Sequence, residues 1–323
     1  MQDAPKQNCS TGATAVQAPW HWIVLFLLPA VLLCAMPRRG AAEQGDGVPK
    51  VFRAGFLQNI FLNADPSDAK AVLEVHSKEI TRFLAIKIPA KVVMFADIAS
   101  MVTALRNGEL EMVSLPAMQY LRIRDKVPLI PSFIGTYRNG PGMRYVIITR
   151  HDSGIRSFAE LKGKSLLLPP VAIHEPSHLW LDVLLLRAGI GGRDGFFRDV
   201  RDSPKFANAI MAVFFRQADA AIVTRAALDT HRELNPQLET QVTLLAESPT
   251  LSDALVCMTP ATPLRFRDDL YRALIRLNES TSGRQVYTIF QTNGITPFIP
   301  EHLAGLENLL QEQKRLKAKM TRK

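Results

Sequence analysis

Cysteine is nearly absent from this chain, with three in 323 residues. Cys9 and Cys34 lie in an N-terminal segment expected to be removed, which leaves Cys257 alone and no internal disulfide frame. A lone cysteine in the apolar run Ala254-Leu255-Val256-Cys257-Met258 reads as a small buried hydrophobe. A glycine-rich phosphate loop, a dinucleotide fingerprint, a Ser/His/Asp order and a paired catalytic carboxylate are also missing, so the common motif-bearing enzyme classes find no support. There is no short tandem repeat and no low-complexity linker. Aromatic residues are not interleaved with the basic ones of the C-terminal tail, which argues against single-strand nucleic-acid binding there.

What is present is length and apolar content: 47% hydrophobic residues in a chain long enough for two domains with real cores. The net charge of +9 is unevenly spread. Residues 311–323 carry Lys314, Arg315, Lys317, Lys319, Arg322 and Lys323 against Glu312, a basic tail that reads as the solvated, frayed end of a C-terminal helix expected over 301–317. Near the other end, Trp20 to Met36 is an apolar run of 17 residues with only His21 polar, followed by Gly40-Ala41-Ala42. Small residues at the positions a signal peptidase reads make residues 1–42 a secretory signal peptide, with a retained membrane anchor as the alternative. Either way the body is exported, and a periplasmic location is expected.

Within the body one pattern occurs twice. Asp97 opens a stretch with Ile98, Met101, Val102 and Leu105 at helical spacing, which stops at Asn107-Gly108 before the strand Glu111–Leu115. Ser203-Pro204 opens another, with Phe206, Ile210, Val213 and Phe214 on one face, which stops near Gln217-Ala218 before the strand Asp219–Val223. Ser or Asp ahead of the first helical residue, with Pro at the first position, is a helix start. A helix leading into a short apolar strand in both halves predicts two α/β lobes, each a mostly parallel sheet flanked by helices. Ligand crevices in such sheets lie at the C-terminal strand edges, where helix N-termini offer free N–H groups. The chain is expected to cross between lobes twice, with 48–140 plus 258–310 as one lobe and 141–257 as the other.

The residues also resemble a known family. Phe52-Arg53-Ala54-Gly55-Phe56 at the first strand, Asp97-Ile98-Ala99 through Glu111, Phe158 through Lys164, Ala207 through Ala221 and Gly294-Ile295-Thr296-Pro297-Phe298 are similar, in order and spacing, to periplasmic solute-binding proteins of the type II fold. The resemblance is nearest to the phosphate/phosphite/phosphonate-binding components of ABC transporters and covers roughly residues 50–305. It implies a two-lobed receptor that closes on a small, anionic ligand by hinge motion and passes it to a membrane permease or presents it to a sensor. It further implies no chemistry, no cofactor, no nucleic-acid partner and a monomer. Relatives carry a Ser-Thr-Ser-Gly-like stretch at the ligand site. This chain reads His174-Glu175-Pro176-Ser177-His178 there, with only Ser177 keeping a hydroxyl.

The candidate ligand contacts are Gln58, Asn59, Asp97, Ser114, His174, Glu175, Ser177, Ser203, Thr224 and Arg225. Gln58 and Asn59 follow the first strand, and Asp97 and Ser203 are helix caps first. Arg225 has the fork geometry that pairs an anion bidentately. His174-Glu175-Pro176-Ser177-His178 also fits the H-E-x-x-H zinc-hydrolase pattern. That chemistry needs helix through the whole motif, and Pro176 within it predicts a helix that starts at or just before Pro176, leaving His174 outside. A milder alternative makes His174 and His178 metal ligands in an interaction or signalling protein.

Overall fold

The computed structural model describes residues 48–58, 66–281, 283–284, 287 and 292–321. The expected signal peptide 1–42 and the candidate contact Asn59 lie outside the described residues. Residues 44–323 form one compact unit. Its strands are β1 (Phe52–Leu57), β2 (Ala90–Phe95), β3 (Met112–Pro116), β4 (Ile130–Tyr137), the two-residue β5 (Gly140–Pro141), β6 (Tyr145–Arg150), β7 (Ser165–Leu168), β8 (Asp199–Asp202), β9 (Ala220–Thr224), β10 (Val242–Glu247), β11 (Ala254–Met258) and β12 (Gly294–Pro297). Its helices are α1 (Pro66–Phe83), α2 (Ile98–Arg106), α3 (Ala117–Ile123), α4 (Val171–Arg187), α5 (Phe206–Phe214), α6 (Arg225–Leu234), α7 (Gln237–Gln241), α8 (Leu264–Glu279) and α9 (Ala304–Thr321).

The strands form two sheets. The larger runs β12-β4-β11-β3-β1-β2, with β5 beside β4, and the smaller runs β10-β6-β9-β7-β8. Each is mixed. β1 pairs in parallel with β2 and β3, and β7 with β8 and β9, whereas the strands on the other side of each sheet pair antiparallel. Both repeated helices bury the face that their spacing predicts. α2 is capped by the Asp97 side chain, which accepts from the Ser100 N–H at 2.8 Å, and buries Met101, Ala104 and Leu105. α5 buries Ala209, Ile210, Val213 and Phe214. They lead into β3 and β9, interior strands of the two sheets.

Three expectations need correction. β11 pairs with β3 and β4, so residues 254–257 belong to the larger sheet and not to a lobe spanning 141–257. Strand hydropathy alone does not say which sheet a strand joins. α5 starts at Phe206 with Lys205 as its N-cap, and Ser203 is the residue after β8, its N–H donating to the Leu168 carbonyl at 2.7 Å. Residues 311–321 are no frayed tail. They continue the helix expected over 301–317, which is α9 and runs on to Thr321; Leu306 and Leu309 are buried while Lys314, Arg315, Lys317 and Lys319 stay exposed.

The connections between the sheets converge. The first crossing, after β5, and the second, after β10, are pinned together by reciprocal 2.8 Å bonds between the backbones of Met143 and Leu251. Gly142, at φ 78°, lies so near that a Cβ there would stand 2.9 Å from the Leu251 carbonyl. The start of α9 closes on the same place, where a Cβ at Gly305 would stand 2.1 Å from the Thr250 carbonyl. Around this point one apolar cluster takes Met118, Tyr120 and Ile123 from α3, Leu179, Trp180 and Val183 from α4, and Leu306 and Leu309 from α9. The two sheets therefore share core, and α9 docks on α4 through Arg187 to Glu312, with both bonds at 2.8 Å.

A Gly→Ala change inside a helix ordinarily stabilises by up to about 1 kcal/mol. At Gly305 the sign should reverse: Gly305→Ala is expected to destabilise by about 1–3 kcal/mol because the backbone of Thr250 must move. Gly192→Ala, in a loop with no heavy atom within 4 Å of the added Cβ, is the open-space control, and urea denaturation reads both. Equal stability of the two variants would contradict the convergence.

Candidate functional site

The parallel strands of each sheet place the candidates at their C-terminal ends. In the larger sheet, exposed Gln58 follows β1, Asp97 follows β2, and half-buried Ser114 lies in β3 beside Phe56 and Val256. Pro116 ends β3 and is the N-cap of α3. In the smaller sheet, β7 runs into Pro169-Pro170 and α4, β8 into Ser203, and β9 into Thr224 and α6. Thr224 caps α6, its hydroxyl accepting from the Ala227 N–H at 3.2 Å. Ser203 is buried, and its hydroxyl contacts the Lys205 carbonyl at 3.3 Å.

α4 begins earlier than its Pro176 predicts. Pro170 is the N-cap and Val171 the first helical residue, but the helix breaks at His174, which has φ −116° and ψ 39°. A proline inside a helix clashes with the carbonyl four residues back and lacks its own donor. The kink two residues ahead of Pro176 relieves both, so one short turn, Val171–Ile173, precedes a helix that restarts at Glu175. The expected restart near Pro176 is thus present, with an unforeseen turn in front of it. Val171 and Ala172 lie in the first turn, where backbone N–H groups have no acceptor within the helix. Those N–H groups follow the C-terminal end of β7, in a turn that the kink at His174 separates from the body of α4.

The kink sets the fate of the H-E-x-x-H residues. The His174 ring turns inward, with Nδ1 3.0 Å from the Tyr145 hydroxyl and its centroid 5.0 Å from that of Phe206. Burial pushes its pKa down to about 4, with His178 a lesser repulsive influence. His178 faces elsewhere: Nε2 lies 2.7 Å from the Pro169 carbonyl and Nδ1 2.9 Å from the Arg193 guanidinium. The Ser177 hydroxyl donates to the His174 carbonyl at 2.8 Å. Glu175 pairs with Arg122 of α3 through both carboxylate oxygens, one bond at 2.9 Å. With both nitrogens of His178 engaged and His174 held by Tyr145, the motif does not assemble a zinc-protease face. Among the described residues no group of three or more His, Cys, Asp or Glu converges as a metal site.

The arginines around these edges are committed to carboxylates. Arg225 is held by Asp229 at 2.9 Å and by Glu247 at 3.0 Å, and Arg144 reaches Glu247 at 3.0 Å. Arg225 is therefore not poised as a free fork for an anion, contrary to its expected role. Sequence reasoning also missed several participants. Tyr145 and Phe206 wall His174, and Arg122 balances Glu175. The Tyr137 hydroxyl donates to Asp253 at 3.1 Å. Burial raises the Asp253 carboxyl to about 6, against the lowering effect of that hydrogen bond. A usable signal existed for Tyr145: a tyrosine opening an otherwise apolar buried strand needs a partner for its hydroxyl. The ion pairs join residues remote in sequence and left no local trace.

Acid stability follows from His174. Its folded pKa lies below the usual 6.5, so the unfolded chain binds the extra proton and stability is lost as pH falls from about 6.5 to about 4. The loss is about 3 kcal/mol at full depth. Asp253, raised from 3.8 to about 6, acts oppositely in an overlapping window and favours folding as pH falls. Denaturation from pH 7 to 4 should therefore show a shallower stability loss in His174→Gln and a steeper one in Asp253→Asn than in the native chain. Identical slopes in all three would contradict these assignments.

The chain is similar to known proteins in sequence and in fold. The sequence model of the family described as "ABC transporter, phosphonate, periplasmic substrate-binding protein" matches residues 57–303. Among solved structures, XAC2383 of Xanthomonas citri, bound to ATP, is similar with a TM-score of 0.57 at 17% identity, over 84% of this chain and 99% of that one. A binding component of a phosphonate ABC transporter from Pseudomonas aeruginosa gives 0.57 at 14%, over 84% and 88%. PhnD1 of Prochlorococcus marinus, in complex with methylphosphonate, gives 0.55 at 15%, over 82% and 99%. At these identities the likeness is one of fold, the type II periplasmic binding fold.

Proposed function

The chain belongs to the phosphonate-type family of periplasmic substrate-binding proteins of ABC transporters, and from that premise we propose that it captures a small oxyanion of phosphonate type at the edges of its two sheets and delivers it to a membrane permease. The observation that carries the reading is the first turn of α4. Backbone N–H groups of Val171 and Ala172 stand free of helix acceptors at the C-terminal end of β7. The carboxylate nearest in sequence, Glu175, is balanced by Arg122, which removes the repulsion an anion would otherwise meet there.

In this reading the anion is held by backbone N–H groups, with Ser203 and Thr224 of the smaller sheet and Gln58, Ser114 and Asp97 of the larger sheet lining the edges. Val171, Ala172 and Ile173 bring no hydroxyl to the helix start, so the side-chain contribution is smaller than in a Ser-Thr-Ser-Gly site. Residues 1–42 act as the export signal, the working form is a monomer, and nucleic acid is not a partner.

A thermal-shift series on the exported protein with methylphosphonate, inorganic phosphate, sulfate, acetate and zinc tests this. A ligand at a hundred times its Kd should add about 2.7 kcal/mol of stability, a clear rise in melting temperature. The expected outcome is a rise with methylphosphonate or phosphate and none with zinc. A rise with zinc alone would transfer the weight to His174 and His178, and no rise with any anion would contradict the capture of an oxyanion.

A further inference from the structure

Two guanidinium groups reach from the half built on the larger sheet to the half built on the smaller one. Arg122, on α3, grips both carboxylate oxygens of Glu175, on α4, with one bond at 2.9 Å. Arg138, between β4 and β5, grips both oxygens of Glu233, on α6, with one bond at 2.9 Å, and also reaches the Thr230 hydroxyl at 3.2 Å. Neither pair lies in the crossings that join the halves covalently. A bidentate pair fixes angle as well as distance. Two such pairs on different helices of the smaller-sheet half, α4 and α6, are satisfied together at one mutual orientation of the halves and are broken when the halves part.

We propose that Arg122 and Arg138 are positioning residues for ligand capture, latching the halves in the closed arrangement before a ligand arrives and so setting the population of the binding-competent form. The magnitudes fit. The paired side chains are 50% and 27% exposed at Arg122–Glu175 and 46% and 60% exposed at Arg138–Glu233, so each pair contributes as a surface pair does, up to about a five-fold bias. Acting on one equilibrium at separate sites, the two multiply to as much as about twenty-five-fold. That is ample for halves whose alternative arrangement is populated at the per cent level. α9 works in the same direction: it follows the larger sheet's β12, lies along α4, and is tied to α3 by Arg124 to Glu307 and to α4 by Arg187 to Glu312. Glu175 gives the latch a second consequence. When Arg122 lets go, an unbalanced carboxylate is left beside the helix start where the anion docks, so opening and loss of affinity are coupled.

The latch itself is read without ligand, and only its consequence for affinity rests on the capture reading. Small-angle scattering of the ligand-free exported protein at about 20 mM and about 1 M NaCl measures it, since salt screens exposed pairs. The radius of gyration should rise with salt in the native chain. The double variant Arg122→Ala, Arg138→Ala should be expanded at both salts while its circular dichroism stays native. The charge-swapped Arg122→Glu, Glu175→Arg chain should be compact at low salt and expand at high salt, because it rebuilds the pair, whereas Arg122→Glu alone should be expanded. A radius indifferent to salt and to all variants overturns the proposal. A salt-dependent latch in a chain that binds neither methylphosphonate nor phosphate leaves the latch standing and removes the capture reading.

Discussion

The close approach of three chain segments at Thr250-Leu251 is the constraint on which the remaining architecture depends. Gly142, Leu251 and Gly305 stand near enough that two of them can carry no side chain without displacing backbone. Because the crossings are hydrogen-bonded to each other through Met143 and Leu251, the two sheets meet at one fixed place rather than through slack linkers. Because α9 starts there, its apolar face is delivered onto α4, and the cluster of α3, α4 and α9 becomes shared core. Close-packed interiors tolerate little change of volume, so the two halves are fixed to each other where they meet, and the strand edges that carry the candidate site lie away from that junction, where the cross-half ion pairs act.

At the site electrostatics is settled mostly within the protein. Arg122, Arg138, Arg144 and Arg225 each face a carboxylate, and His174 is kept neutral by burial. What an arriving anion meets is the partial charge of a helix start, in a setting from which opposing full charges have been balanced. Helix-terminus recognition of this kind favours compact oxyanions and is indifferent to the identity of the first-turn side chains, provided they leave the N–H groups open. The Val171-Ala172-Ile173 turn meets that condition without a hydroxyl.

Much of this was legible in the sequence, and what was legible was local. Asp97 as a cap, the stop at Asn107-Gly108, the paired helix-strand units and the β-branched run Tyr145–Thr149 are each decided within a few residues, where capping, turn chemistry and hydrophobic period act. What the sequence concealed depends on contacts over long separations. Arg122 and Glu175 are 53 residues apart and Arg138 and Glu233 are 95 apart, so no window contains either pair. β11 carries the apolar pattern of any buried strand, and its sheet is chosen by partners 138 to 146 residues earlier in β3, from Pro116 opposite Ala254 to Met112 opposite Met258. α4 shows the limit most clearly: Pro176 predicts a helix boundary, and the structure keeps the boundary as a kink while adding a turn of Val, Ala and Ile, residues whose helical preference gives no warning.

The central claim is that a small oxyanion binds at the N–H groups that open α4. The most direct measurement is amide NMR of the isotopically labelled exported protein during titration with methylphosphonate. The account predicts that the Val171 and Ala172 amide resonances move downfield with a single saturating isotherm and that the move is among the largest in the chain. Binding that leaves those two amides unmoved, or saturating shifts centred on His178 and Arg193 instead, would contradict it.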